Sequence, residues 1–145
     1  MAISFEAIDI LPTDADLDLL QQRFGFKLPE IVRDHFLKNN GGVPNPHVFI
    51  LDHFIATEVA CSLSVITNSG GTLVGDVYGR FVSNGWIAEG LLPFAVDAGG
   101  DYFFVDCRSD RLDTYFYDTQ VRTEGPGLVD LERGFLDFWE TLSSE

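Results

Sequence analysis

From Leu91 to Asp118 the chain reads LLPFAVDAGGDYFFVDC, then a short RSD link, then RLDTYFYD. An apolar run enters a glycine and acid turn at Asp97 to Asp101, and two aromatic, β-favouring segments follow in close succession. The pattern predicts a hairpin core around which everything else packs.

With 145 residues, the chain fits one domain, 1–145, and 13 Phe, 4 Tyr and 2 Trp give it enough bulk to bury a single core. At 46% hydrophobic residues, with no long polar low-complexity tract, it is too apolar to be disordered. A net charge of -14 argues against nucleic acid and anionic membranes as partners, since both favour basic surfaces. Natural partners would be basic, although acidity also serves solubility alone. The charge is not concentrated: Asn39 to Cys107 holds seven acids and one base, Arg80, leaving sixteen of the 23 acids and eight of the nine bases elsewhere. Folding has to assemble any acidic patch. Only Cys61 and Cys107 occur and no signal-peptide pattern opens the chain, so a cytoplasmic protein without a disulfide framework is expected. No apolar run approaches the roughly 20 residues of a spanning helix.

In chain order, Ile3 to Leu11 alternates and predicts a short strand or docking arm. Thr13 offers an N-cap ahead of Asp14 and Asp16, and Leu17, Leu20 and Phe24 form the apolar stripe of a helix that Gly25 ends. Pro29 opens a second helix with Leu28, Ile31, Val32, Phe36 and Leu37 inward, closed by Asn39-Asn40-Gly41-Gly42. After the Pro44 and Pro46 loop, His47 to Phe54 reads as a buried strand. Thr57 to Ile66 reads as a helix with Val59, Leu63 and Ile66 inward, and the five glycines of Asn68 to Gly85 read as loops around short strands. Gly125-Pro126-Gly127 marks a turn. A final helix then runs on Leu128, Leu131, Phe135, Phe138 and Leu142. Helices at both ends with strands between predict an α+β fold: a central antiparallel twisted sheet flanked by an N-terminal helical hairpin and a C-terminal helix.

Chemical signatures are missing. His35, His47 and His53 lack metal-ligand spacing, and Cys61 and Cys107 sit in apolar patterns as small core residues. The Gly75 to Val82 segment has no phosphate-loop spacing. A calcium loop opening at Asp97 would need Gly and Glu where Tyr102 and Arg108 stand. No catalytic, cofactor or metal site is expected.

The ordered set Leu28-Pro29-Glu30, Asn39-Asn40-Gly41-Gly42 with Pro44, Leu92-Pro93-Phe94-Ala95-Val96-Asp97, Gly99-Gly100-Asp101 and Phe135-Leu136-Asp137-Phe138 resembles the SUKH superfamily, from about Leu11 to Leu142. The superfamily joins bacterial toxin-immunity proteins to Smi/Knr-type fungal regulators of cell-wall synthesis. Gly134 departs from a common Ser before the aromatic of the last helix, and 68–85 matches no quotable motif. Each shared motif is scaffold: helix starts, helix stops and a turn.

The resemblance implies a non-enzymatic protein, monomer or homodimer, that binds and silences a basic toxin domain, in many cases a nuclease. The alternative is a regulatory adaptor of the Smi/Knr kind. Candidate partner contacts are Asp76, Trp86, Glu89, Asp97, Asp101 and Asp106, the charged or aromatic residues in or beside turns around the central strands. For Asp97 and Asp101 the competing role is capping their own turn, and for Trp86 a place in the core.

Overall fold

Residues 91–118 fold as three consecutive antiparallel strands, as their pattern predicts. The computed structural model describes residues 3–51, 55–119 and 127–144. Its elements run β1 (Ser4–Glu6), α1 (Asp14–Phe24), α2 (Glu30–Asn39), β2 (Val43–Asn45), β3 (Val48–Leu51), β4 (Ile55–Ser62), α3 (Val74–Ser83), β5 (Leu91–Asp97), β6 (Tyr102–Asp106), β7 (Asp113–Tyr117), β8 (Leu128–Gly134) and α4 (Phe135–Glu140). β3 to β8 form one antiparallel sheet in sequence order, and β1 and β2 form a separate pair. Beyond α4, Ser143 exchanges both backbone hydrogen bonds with Val48 of β3, at 2.8 and 2.9 Å, so the chain end returns to the opposite edge and nearly closes the sheet. This is the expected α+β architecture.

Alternation along β6 sets the layers. Phe103 and Phe104 are both fully buried, yet neighbouring strand residues point to opposite faces. Phe103 meets Phe138 of α4 at 4.9 Å between ring centres, and Phe104 meets Phe81 of α3 at 5.3 Å. α4 thus covers one face and α3 part of the other. On the α4 side Phe94, Phe135, Phe138 and Trp139 interlock edge-to-face, with Phe49 stacked on Phe138.

The helical hairpin forms as read. Thr13 and Asp16 make a reciprocal capping box, and Gly25, at φ 79°, donates its N–H to the Gln21 carbonyl. Arg33 of α2 reaches Asp14 and Asp18 of α1, each at 3.0 Å, which fixes the helices side by side. Ile31, expected inside, is 40% exposed. At the end of α2, Asn40 is fully buried: its Nδ2 donates to the Ile10 and Ile66 carbonyls and its Oδ1 accepts from Val65 N–H. Asp9 gathers the Thr67 and Ser69 hydroxyls and the Asn68 N–H, and these bonds hold its carboxyl well below the usual range.

Four expectations need correction. Thr57 to Ile66 is not a helix; β4 occupies most of it, and an irregularity in pairing between Val59 and Cys61 breaks the two-residue period. Within residues 68–85 the chain forms α3, whose Val74, Val77, Tyr78 and Phe81 are buried at helical spacing. Its Gly75 lies so close to the Arg23 side chain that a Cβ would force it aside. The final helix is shorter than expected: Leu128 to Gly134 is strand β8, and Gly134 is the N-cap of α4. The proline loop contributes β2, paired with β1. The expected strand from His47 is β3; its continuation through His53, and the Gly125-Pro126 turn, lie outside the described residues.

His35 sits under α4, stacked on Trp139 at 4.9 Å with its Nε2 2.8 Å from Ser62 Oγ. Burial disfavours its charged form and pushes its pKa down to about 3.

Phe135→Ala should cost about 3–5 kcal/mol in chemical denaturation, because it opens a cavity in the aromatic cluster; a change near zero would mean that α4 does not cover the sheet. The His35 proton gives a pH signature. Below pH 6.5 the unfolded chain takes up a proton that the folded chain refuses, so this contribution to stability is complete above 6.5 and is lost as pH falls toward the folded value. Between pH 7.5 and 5 the loss should be about 2 kcal/mol, and His35→Gln should remove that slope whatever it does to stability at neutral pH.

Candidate partner-binding face

α3 covers only part of its side of the sheet. Cross-strand partners share a face, and the register pairs Tyr102 with Tyr117, Phe104 with Tyr115, Tyr115 with Asp130 and Tyr117 with Leu128. Tyr102, Tyr115, Tyr117 and Leu128 therefore lie together, all half-buried. The Phe81 ring meets Tyr102 at 5.6 Å and Tyr117 at 5.1 Å, and Trp86, just beyond α3 and 47% exposed, stands edge-on to Phe81 at 5.2 Å. The Arg80 guanidinium lies 5.8 Å over the Tyr102 ring. The result is an aromatic platform spanning β6, β7 and the edge strand β8.

Acids surround its far end. Asp130 stands opposite Tyr115 in the β7–β8 register, and the Tyr115 hydroxyl is pushed up, first by burial and then by the charges of Asp130, Asp113 and Asp106. Two already have cations: Asp106 holds Arg108 at 2.9 Å and Asp113 holds Arg111 at 3.3 Å. Asp130 accepts the Glu132 N–H at 2.8 Å and has no ion pair among the described residues; nor has Glu89. Folding does not gather the net charge into one strong acidic patch here.

The six sequence candidates separate in space. Trp86 is on the platform and Asp106 at its edge. Glu89 is exposed in the link to β5. Asp76 is exposed at the start of α3 and pairs loosely with Arg23 at 3.7 Å. Asp97 and Asp101 are 3% and 1% exposed, so their side chains do not offer a surface contact. Asp97 Oδ1 accepts the Gly99 and Asp101 N–H groups, Oδ2 accepts the Thr57 hydroxyl, and Gly100 takes φ 92° to make the turn. Asp101 accepts the Thr119 hydroxyl. Both hold the β5–β6 turn in shape. Sequence reading missed Tyr102, Tyr115 and Tyr117; the signal available was the alternation in RLDTYFYD, where both tyrosines fall on the face opposite Phe116.

The remaining reactive groups are quiet. Burial raises the Cys61 thiol and pushes Cys107 up to about 12, which leaves neither as a nucleophile near neutral pH. Among the described residues, no group of three or more His, Cys, Asp or Glu side chains could hold a metal, and no helix is long and apolar enough to cross a membrane.

A family model described as the SMI1 / KNR4 family (SUKH-1) matches residues 11–140. That span takes in everything from the entry to α1 through α4. None of the curated proteins matches the chain.

Proposed function

Because the chain belongs to the SMI1 / KNR4 family (SUKH-1), we propose that it is an immunity protein, which binds a basic toxin domain and holds it inactive by protein–protein contact with no chemistry of its own. The family match over residues 11–140 carries this reading. It is supported by the platform: Trp and Tyr are the residue types that concentrate binding energy at interfaces, and here half-buried tyrosines stand on strands whose other side is locked into the core, with the exposed Trp86 beside them in the link after α3. The overall charge of -14 supports a basic partner, such as a nuclease whose cleft holds phosphate. Charge would act at long range on the encounter, and the aromatic platform would decide how long the complex lasts.

The predicted contacts are Trp86, Tyr115, Tyr117 and Leu128 at the centre, with Asp106, Asp130 and Glu89 at the rim. Co-expression with the toxin encoded beside this gene should rescue growth, and the two proteins should co-purify. Trp86→Ala or Tyr117→Ala should weaken the complex by about 10-fold or more, mainly through faster dissociation. Glu89→Lys with Asp130→Lys should instead slow association and flatten its salt dependence. If the unsubstituted protein neither rescues nor co-purifies, the assignment fails and the regulatory adaptor reading replaces it.

A further inference from the structure

On the other side of the sheet, a groove of about 370 Å³ runs between β1, α2 and α4. It is separate from the tyrosine platform, because α4 and α3 cover opposite faces. Its walls include Ile3, Phe5, Ile31 and Leu136, over His35 and Trp139. Ile31 and Leu136 are 40% and 54% exposed, so two aliphatic side chains from different helices flank the opening in water.

Trp139 adds a polar requirement. It is 4% exposed, and its Nε1 has no acceptor among the described residues. Its stacked neighbour His35 already has a partner in Ser62 Oγ. A buried indole N–H without an acceptor is unfavourable, and a small shift of the ring toward the groove would let a ligand carbonyl relieve it. Asp34, Glu140 and Lys38 are the charged residues along the groove, two acids against one base. A second copy of the chain is a poor occupant, since each would bring a charge of -14.

We propose that this groove is a peptide-binding site, which takes an apolar side chain from a short basic segment. On a small shift of the Trp139 ring a backbone carbonyl of that segment accepts its Nε1–H, and the flanking Lys or Arg residues meet Asp34 and Glu140. The volume suits a side chain with its adjoining backbone, at the small end of ligand sites. No toxin enters the test below, so its failure leaves the platform reading untouched.

The probe is the blocked tripeptide Lys-Leu-Lys, titrated into protein carrying 15N in its two indole rings. Trp86→Phe assigns the two resonances. A saturable downfield shift of the Trp139 N–H is expected, with Kd on the order of millimolar. Lys-Ala-Lys and Glu-Leu-Glu should each bind at least about 10-fold more weakly, because one lacks the apolar anchor and the other reverses the charge. Leu136→Gln, at an exposed position, should lower affinity by a similar factor without changing the melting temperature, and Ile31→Gln provides a second variant. The proposal is overturned if Lys-Leu-Lys gives no shift, if all three peptides shift the resonance equally, or if raising protein concentration alone moves it, which would identify a second copy as the occupant.

Discussion

Phe103 and Phe104 are adjacent in β6 and neither is accessible to solvent. A strand can achieve this only when each face of its sheet carries a cover, so the two residues together demand α4 on one side and α3 on the other. The covers are unequal. On the α4 side Phe94, Phe103, Phe135 and Phe138 close into one cluster, and the pairing of Ser143 with Val48 holds the helix there. On the α3 side the cover rests on Phe81, whose ring reaches Tyr117 of β7. The side chains at that margin are Tyr115 and Tyr117, both half-buried. The platform is therefore a consequence of how the core is roofed.

Polar side chains inside the fold fix its joints. Asn40 ties the arm before α1 to the segment after β4, and Asp97 ties the β5–β6 turn to Thr57 of β4. Each satisfies several donors or acceptors at once, which is the condition under which burying a polar group is tolerable. His35 obeys the same rule through Ser62 and stays neutral. Trp139 is the exception on the α4 side, and it lines the groove.

Much of this was legible in the sequence. The central strands, the capped α1, Pro29 at the entry to α2 and the family motifs all rest on short-range rules: alternation, capping and turn chemistry. The misses share a cause, because tertiary contacts overrode the local pattern. In β4 an irregularity at Val59 and Cys61 disturbed the alternation and left a spacing that mimicked a helix. In α3 the glycines concealed buried Val74, Val77, Tyr78 and Phe81; Gly75 is there because α1 places Arg23 against it. In β8, Leu128 and Leu131 continue the three-and-four spacing of α4 across a strand-to-helix junction. Gly134, the departure from the family pattern, is the N-cap at that junction, where Ser or Gly are both favoured residues. The candidate site was less legible than the fold: turn position suggested Asp97 and Asp101, whose side chains are buried, while the platform tyrosines lie on strands, away from the turns where contacts were sought.

Hydroxyl-radical footprinting of the free protein and of its complex with the neighbouring toxin domain tests the central claim most directly, because it reports side chains one by one. The account predicts that Trp86, Tyr115 and Tyr117 lose reactivity in the complex, while the exposed Leu19 of α1 stays as reactive as in the free protein. Protection at Leu19 with Trp86, Tyr115 and Tyr117 unchanged would contradict it.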